Sequence, residues 1–263
     1  MLRSMYAGIS GMKNFQTKLD VIGNNIANVN TAGFKKGRVT FQDMMSQTTS
    51  GAQGSTDTRG GINPIQVGLG SQLGSIDNVH TQGFSETTNI PLDLQLEGDG
   101  MFVLQADNAS YYTRAGNFYL DEDGFIVNPD GYYLLDIDNS PIEIPEDAKS
   151  YSIQTDGTVN YVNENNDRVE SGQIGVASFS NPSGLEKAGS NLFLTSPNAG
   201  FIDVFAPETE GTASIVSGAL EMSNVDLAEE FTEMIVSQRG FQANTRIIST
   251  SDEILQELVN LKR

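Results

Sequence analysis

Few side chains in this sequence have the types and spacing that catalysis requires. The single histidine, His80, lies in the segment Asp77-Asn78-Val79-His80, with no nucleophile or second metal ligand at a characteristic spacing. A catalytic histidine needs such a partner, because its ring must be oriented and its proton must have a destination. We therefore interpret His80 as a surface or groove residue.

The acidic side chains give no stronger signal. The cluster Asp121-Glu122-Asp123-Gly124 matches part of a calcium loop, but the alternating ligands and the distal glutamate of that loop do not follow. We interpret the cluster as a hairpin turn on a solvated face. A carboxylate pair for glycoside hydrolysis is defined by distance in space, so the 34 Asp and Glu residues neither establish nor exclude one.

Known catalytic patterns are absent from the sequence. It contains no GxxxxGK[ST] phosphate loop, no HExxH zinc motif and no GxSxG nucleophile elbow. It also contains no cysteine, which excludes disulfides, thiolate metal sites and thiol catalysis. We predict a protein that is not an enzyme, and we assign no catalytic residue, cofactor or metal ligand.

The charge of the chain argues against nucleic acid as a partner. The formal net charge is −19, whereas phosphate binding needs an excess of Lys and Arg. The excess of acidic residues lies in the middle of the chain, where residues 46–222 carry five Lys or Arg against 25 Asp or Glu. Residues 1–45 carry six against two, so the chain has an acidic, solvated body and a first segment of different character.

No segment has the pattern of a signal peptide or of a membrane span. The first residues, MLRSMYAGISGMKNF, alternate polar and apolar types. No run reaches the roughly 18–20 apolar residues that a spanning helix needs. If the protein leaves the cytoplasm, we expect a route that does not cleave its first residues.

Both ends of the chain have the apolar spacing of long helices. Near the start, steps of three and four residues place one stripe on a helix with a period near 3.5. The stripe consists of Leu2, Met5, Ile9, Met12, Phe15, Leu19, Ile22 and Ile26. It ends before Gly33, which we predict to be a left-handed cap.

The second helix is predicted from about residue 224 to residue 261. Ser223 or Asn224 would cap it, and an acidic first turn follows. Its main stripe consists of Leu227, Phe231, Met234, Phe241, Ile248, Leu255 and Val259, and a second row contains Ile235, Ile247, Ile254, Leu258 and Leu261. Because apolar residues occupy more than one face, we expect the helices to pack on each other and on neighbouring copies. An ordinary two-helix layer is the alternative.

The residues between the helices change pattern twice. Residues 44–75 are rich in Gly, Ser, Thr and Gln without periodicity and predict an extended connector rather than a packed element. From about residue 76, short β-type runs alternate with turns such as Asp123-Gly124 and Asp156-Gly157. We predict an α+β protein with three parts: an inner coiled-coil domain (1–32 and 224–263), an extended connector (33–75) and a β-rich outer domain (76–223).

Three motifs, in order along the chain, resemble those of the bacterial flagellar rod and hook protein family. The first runs from Asp20 to Lys35 and includes Asn24, Asn25, Asn28, Gly33 and Phe34. The second is Tyr112-Thr113-Arg114-Ala115-Gly116-Asn117-Phe118. The third includes Asn224, Gln238 and Arg239. The order and the coverage of nearly the whole chain make the resemblance specific.

The resemblance implies a self-assembling helical tube, with the terminal helices inside and the β domain outside. The implied partners are other copies of the chain, neighbouring rod, hook-cap and hook–filament junction proteins, and the flagellar type III export apparatus. The implied location is the flagellum, outside the cell. Details of the motifs favour the flexible hook; the length and the connector favour the distal rod, the alternative. A carbohydrate-binding β protein is a distant alternative.

The bending of such a tube would need joints between the helices and the β domain. Glycine-rich segments are the natural places, because glycine tolerates the widest range of backbone angles. We predict hinges at Gly33, Gly68, Gly70 and Gly218.

Overall fold

The computed structural model describes residues 2–56, 58–106, 109–145 and 148–261. The helices are α1 (Leu2–Ala27) and α2 (Leu227–Leu261). The first strands are β1 (Gly37–Asp43), β2 (Ser46–Ser50), β3 (Ile65–Gly68), β4 (Ser71–Asn78), β5 (Ser85–Thr87), β6 (Leu94–Glu97), β7 (Met101–Ala106), β8 (Ala109–Thr113), β9 (Tyr119–Leu120) and β10 (Ile126–Val127). The remaining strands are β11 (Tyr133–Leu134), β12 (Ser150–Ile153), β13 (Thr158–Val162), β14 (Arg168–Gln173), β15 (Val176–Phe179), β16 (Glu186–Gly189), β17 (Leu192–Leu194), β18 (Phe201–Phe205), β19 (Ser214–Ser217) and β20 (Ala219–Glu221). A 3-10 turn covers Pro182–Gly184. The predicted α+β class is confirmed.

The chain forms two compact units, which we call the helical unit and the β unit. The helical unit consists of Met1–Ala27, Gly37–Asp77 and Asp226–Arg263. The β unit consists of Asn28–Lys36 and Asn78–Val225. The division into three parts that we predicted stays a prediction about the assembled protein.

In the helical unit, α1 and α2 pack on each other, as the two apolar stripes predicted. The 35 residues of α2 correspond to a length of about 53 Å at about 1.5 Å per residue. The unit also contains two small sheets, in which β1 pairs with β4 and β2 pairs with β3.

Both predicted helix caps need correction. The α1 helix ends at Ala27, and Gly33 lies six residues beyond it with a positive φ of 70°. Gly33 therefore serves the following loop rather than the helix end. At α2 the cap is Asp226, whose Oδ1 accepts hydrogen bonds from the backbone N–H of Ala228 (2.8 Å) and Glu229 (3.4 Å). The predicted cap residues Ser223 and Asn224 lie before it.

Residues 44–75, which we predicted to be an extended connector rather than a packed element, contain regular strands that the sequence pattern did not predict. Strands β2 and β3 and most of β4 lie in this range. In the β2–β3 pair, Ser46 is opposite Gly68 and Gln47 is opposite Val67. Every residue of this pair is exposed, so neither strand has a buried apolar face that could have produced an alternating sequence pattern.

In the β unit, a nine-stranded antiparallel sheet forms the core. Its path is β16-β17-β8-β7-β11-β10-β9, with β15 pairing to β7 and β18 pairing to β15. A three-stranded sheet, β12-β13-β14, and the pairs β19–β6 and β20–β5 complete the unit. The predicted β-rich body is thereby observed, with antiparallel pairing throughout these sheets.

Two clusters of buried apolar side chains form the core of the β unit. Each fully buried aliphatic or aromatic side chain contributes about 1.5–3 kcal/mol to the free energy of folding. The aromatic rings of Phe102 and Phe118 meet edge to face, with centroids 5.3 Å apart. The largest fully buried apolar side chains of this core are Leu94, Leu96, Phe102, Leu104, Phe118, Ile126, Leu134, Ile174 and Ile215.

Candidate assembly surface and buried ion cluster

The two long helices make close contact through small residues. A Cβ atom added to Gly240 would lie 2.5 Å from Cζ of Phe15, and one added to Gly11 would lie 2.7 Å from Nδ2 of Asn244. The helix backbones therefore approach so closely that large side chains are excluded there. The sequence prediction considered only large apolar residues and missed these contacts, although the small-residue spacing Gly8-x-x-Gly11 signalled them.

The predicted interface residues are divided between the helix pair and the solvent. Ile22 is buried; Met5, Met12, Phe15, Leu19, Ile26, Met234, Phe241, Ile248 and Leu255 are half-buried; and Ile9, Leu227, Phe231 and Leu258 are exposed. The side chain of Leu2 lies outside the described residues. Contact with neighbouring copies stays a prediction for all of them.

Four apolar side chains of α2 line one side of the helix and remain uncovered in the chain. At about 100° per residue, Val236, Ile247, Ile254 and Leu258 fall within a narrow sector. Their side chains are 43–56% exposed. We call these four residues the outer row.

Polar side chains fix the register of the helix pair. Lys18 Nζ lies 2.5 Å from Glu233 Oε2, and Asn25 Nδ2 donates to Glu230 Oε1 at 3.2 Å. The same Asn25 amide donates to the Gly37 carbonyl and accepts from the Gly37 N–H, both at 2.9 Å. This signature asparagine therefore holds both α2 and the start of β1.

The other helical signature residues are less enclosed. Asn24, Gln238 and Arg239 are exposed, and Arg239 donates to Gln242 Oε1 at 3.2 Å. Asn28 is half-buried, and its Oδ1 accepts a hydrogen bond from the Thr31 hydroxyl at 3.2 Å. Among these residues, only Asn28 lies in the β unit.

The β unit contains a buried ion cluster that joins the first two sequence motifs, through Lys35 and Arg114, to Glu221, which lies just before the third motif. The Glu221 carboxylate accepts hydrogen bonds from Lys35 Nζ (2.5 Å), Gly83 N (2.9 Å) and an Arg114 guanidinium nitrogen (3.3 Å). Lys35 also donates to the Thr81 carbonyl at 2.8 Å. The side chains of Lys35 and Glu221 are fully buried, and that of Arg114 is 5% exposed.

Burial and charge act in opposite directions on this cluster. Desolvation lowers the pKa of Lys35 and the pKa of Arg114, and the negative charge of Glu221 raises both. The Glu221 carboxylate is thus the direct ion-pair partner of both buried cations, and the negative charge of Asp99 acts on them as well. Sequence reasoning missed the cluster because its members are far apart in the chain and meet only in space.

Asn224 forms a second link within the β unit. Its Oδ1 accepts from the Lys36 N–H at 2.8 Å, and its Nδ2 donates to the Val79 carbonyl at 2.8 Å and to the Thr81 hydroxyl at 2.9 Å. The side chain therefore ties together three separate segments. This contact, rather than helix capping, explains why an amide residue occupies the position.

The loop after α1 is fixed against the β sheet by Gly33 and Phe34. The Gly33 N–H donates to the Glu221 carbonyl at 2.8 Å, and a Cβ at Gly33 would lie 2.4 Å from the Ala115 nitrogen. Phe34 is buried, with Lys187 Nζ 5.1 Å from its ring centroid.

The four predicted hinge glycines have different surroundings. Gly33 and Gly70 are crowded: a Cβ at Gly70 would lie 2.3 Å from the Ser10 hydroxyl oxygen. Gly68 and Gly218 have more room, with no atom closer than 4.0 Å and 3.7 Å to an added Cβ. Their role as hinges stays a prediction.

Among the residues that the structure describes, no group of three or more His, Asp or Glu side chains could hold a metal ion. Within the same ranges, no helix is long and apolar enough to cross a membrane.

Family models and a full-length relative decide the family. Residues 5–35 match the model "Flagella basal body rod protein", residues 95–161 match "Flagellar hook protein FlgE/F/G D1 domain", and residues 216–261 match "Flagellar basal body rod FlgEFG protein C-terminal". The Bacillus subtilis flagellar basal-body rod protein FlgG is 57% identical over 264 residues, covering 100% of both chains. The chain belongs to the flagellar rod and hook protein family.

Two further relatives of the chain are a rod protein and a hook protein from one organism. The Borreliella burgdorferi FlgG is 38% identical over 269 residues, covering 100% of both chains. The flagellar hook protein FlgE of the same organism is 31% identical over 441 aligned positions, again covering 100% of both chains. The predicted family is confirmed, whereas the order that placed the hook protein before the rod protein is not supported.

Members of the flagellar rod and hook family are structural proteins that localise to the bacterial flagellum. The three matched segments contain the three motifs that carried the resemblance. They include the residues of the buried ion cluster, since Lys35, Arg114 and Glu221 each fall in a different one.

Proposed function

We propose that this protein is the subunit of the flagellar distal rod, a self-assembling tube that transmits motor torque. The observation that carries this proposal is the 57% identity to a basal-body rod protein over the full length of both chains. The hook, which we first favoured from the motifs, becomes the alternative.

The comparison of lengths supports the rod over the hook. The alignments with rod proteins extend over 264 and 269 positions, close to the 263 residues of this chain. The alignment with a hook protein needs 441 positions. The chain therefore matches rod proteins without large insertions.

The outer row supports self-assembly through α2. Four neighbouring apolar side chains that remain about half-exposed represent an unfavourable contact with water in the isolated chain. Burial against a second copy would contribute about 25 cal/mol for each Å² of apolar surface that leaves water. Torque would then pass between subunits through packed helices.

Two further kinds of partner follow from the position that we propose for this protein in the flagellar rod. A rod subunit contacts adjacent axial proteins at each end of its segment and reaches its site through the flagellar export apparatus. We propose both as partners, together with export that does not cleave the first residues.

Assembly can be tested with charge substitutions on α2. We expect Ile254→Asp to abolish polymerisation of the full-length protein, because the carboxylate would be buried without a counter-charge. The control Ser249→Asp adds the same charge on another side of the same helix, and Ser249 is exposed. It should polymerise like the parent protein. Electron microscopy and sedimentation give the readout, and polymerisation of Ile254→Asp would refute the role of the outer row.

Rod and hook are distinguished by position. A tagged copy should be found by immunogold labelling within the basal body of isolated hook–basal bodies. Label along the curved segment outside the outermost ring would support the hook instead.

A further inference from the structure

In the helical unit, α2 extends beyond the start of α1. Phe15 of α1 lies against Gly240 of α2. Nearer the start of α1, a Cβ added to Gly8 would lie 3.4 Å from Cγ1 of Ile248, so the two helices run antiparallel. With one residue of α2 for each residue of α1, the helix start at Leu2 is opposite residue 253 or 254. Within the described residues, the last two turns of α2 therefore continue past α1 for about 12 Å, at about 1.5 Å per residue.

Apolar side chains at this end of α2 are exposed. Leu258, Val259 and Leu261 are 49%, 66% and 83% exposed. We call these three residues the end patch; Leu258 also belongs to the outer row. Neighbouring apolar groups in water are unfavourable, so the patch indicates a contact outside the chain.

A second apolar patch lies at the other end of the same helix. Leu227, Phe231 and Ile235 recur every four residues and therefore follow one side of α2. They are 40%, 51% and 60% exposed. We call these three residues the start patch. None of them belongs to the outer row, so this surface is separate from the one already assigned to self-assembly.

The charges beside the two patches have opposite signs. Asp226 and Glu229 are exposed at the start of α2. Lys262 and Arg263 follow α2 in the sequence. Contact between a start patch and an end patch would bring opposite charges together, whereas contact between two start patches would bring like charges together. The charge pattern thus favours a contact between unlike patches.

We propose that the end patch of one copy binds the start patch of a second copy, so that their α2 helices join head to tail. This inference rests on the proposed self-assembly and gives it a direction. Because the two patches differ, the contact is heterologous, and each added copy presents a patch to the next one. Growth along this contact continues rather than closing after two copies.

Cysteine pairs test the contact directly, because the parent chain has no cysteine. In the double variant Ile235→Cys with Val259→Cys, the two positions of one chain are about 36 Å apart along the helix, too far for a short bismaleimide to join. Cross-linking of the full-length polymer should therefore join copies and give a ladder of dimers, trimers and longer products. Neither single variant should give cross-linked products.

The matched control is Ser249→Cys with Val259→Cys, which moves one thiol to an exposed residue between the two patches. It should give no ladder. Polymers of the first double variant without a ladder, or a dimer from either single variant, would overturn the head-to-tail contact and leave the rod assignment standing. A full-length chain that stays monomeric would contradict the proposed function and this inference together.

A substitution in the start patch measures how much that patch contributes. Phe231→Asn removes apolar surface without adding charge and should raise the concentration needed for polymerisation at least about tenfold. Thr232→Asn changes the next residue, about 100° around the helix, and should have less than about a twofold effect. Far-ultraviolet circular dichroism checks that both variants remain folded. Equal effects of the two substitutions would exclude the start patch as a binding surface.

Discussion

At the scale of single residues, Glu221 has the largest structural consequence. It compensates two buried cations and holds the segment before β5 through the Gly83 N–H. Lys35 and Arg114 belong to the first and second sequence motifs. Their partner could not be predicted, because Glu221 lies 107 residues from Arg114 and 186 from Lys35. Only the folded sheet brings these charges together.

Removal of the Glu221 charge should destabilise the β unit strongly. Glu221→Gln leaves Lys35 and Arg114 buried with Asp99 as the remaining negative charge that acts on both, and we expect a loss of about 3–5 kcal/mol in the free energy of unfolding. The control Glu186→Gln removes an exposed carboxylate and should change the free energy of unfolding by less than about 0.5 kcal/mol. Urea unfolding followed by near-ultraviolet circular dichroism measures both, and equal stability of the two variants would contradict the account.

His80 should make stability depend on pH in a window set by its pKa. Its folded value of about 4 is below the ordinary 6.5, so the unfolded chain binds more protons between these values. The contribution is fully present above pH 6.5, declines as the pH falls, and is lost below about 4. We expect a difference on the order of 2 kcal/mol across this window, after allowance for solvent near the partly exposed ring.

The measurement compares the parent with His80→Gln in carboxylate-free buffers. At each pH, the unfolding free energy of the variant is subtracted from that of the parent. The contribution of all other titrating groups cancels, because both proteins contain them. The difference in unfolding free energy should rise from pH 4 to pH 6.5 and then stay constant. A flat difference would show that the imidazole titrates equally in the folded and unfolded chains.

At the scale of elements, spacing predicted the helices well and the strands unevenly. The three- and four-residue steps located α1 and α2 because one face of each helix meets the other. The exposed pair β2–β3 was missed because backbone hydrogen bonds, rather than a buried face, define it. The observed cap of α2 is Asp226 rather than the predicted Asn224, because the Asn224 side chain forms hydrogen bonds with Lys36, Val79 and Thr81 instead.

The close contact of the helices predicts opposite effects for two Gly→Ala substitutions. Gly23→Ala has nothing within 4 Å of the added Cβ, so it should stabilise the helical unit by up to about 1 kcal/mol through helix propensity. Gly240→Ala meets the ring of Phe15 at 2.5 Å, and overpacking of about 1–3 kcal/mol should exceed that gain. Hydrogen exchange of the α2 amides measures both. Stabilisation by Gly240→Ala would mean that the helices are not in contact there.

At the scale of the whole molecule, the proposed rod requires an acidic chain to associate with copies of itself. The net charge of −19 opposes association, so burial of apolar surface is one contribution that assembly needs. The outer row of Val236, Ile247, Ile254 and Leu258 provides such surface on α2. Sequence reasoning predicted that α2 has apolar residues on several faces, but which of them remain uncovered depended on the small residues that close the helix pair.

The most direct test is to follow one residue of the outer row during assembly. Because the chain has no cysteine, Ile254→Cys and Ser249→Cys each provide a single site for an environment-sensitive fluorophore. The account predicts that the label at residue 254 shifts to shorter wavelength and becomes protected from aqueous quenchers on polymerisation, while the label at residue 249 changes less. Polymers in which the label at residue 254 remains as accessible as in the monomer would contradict it.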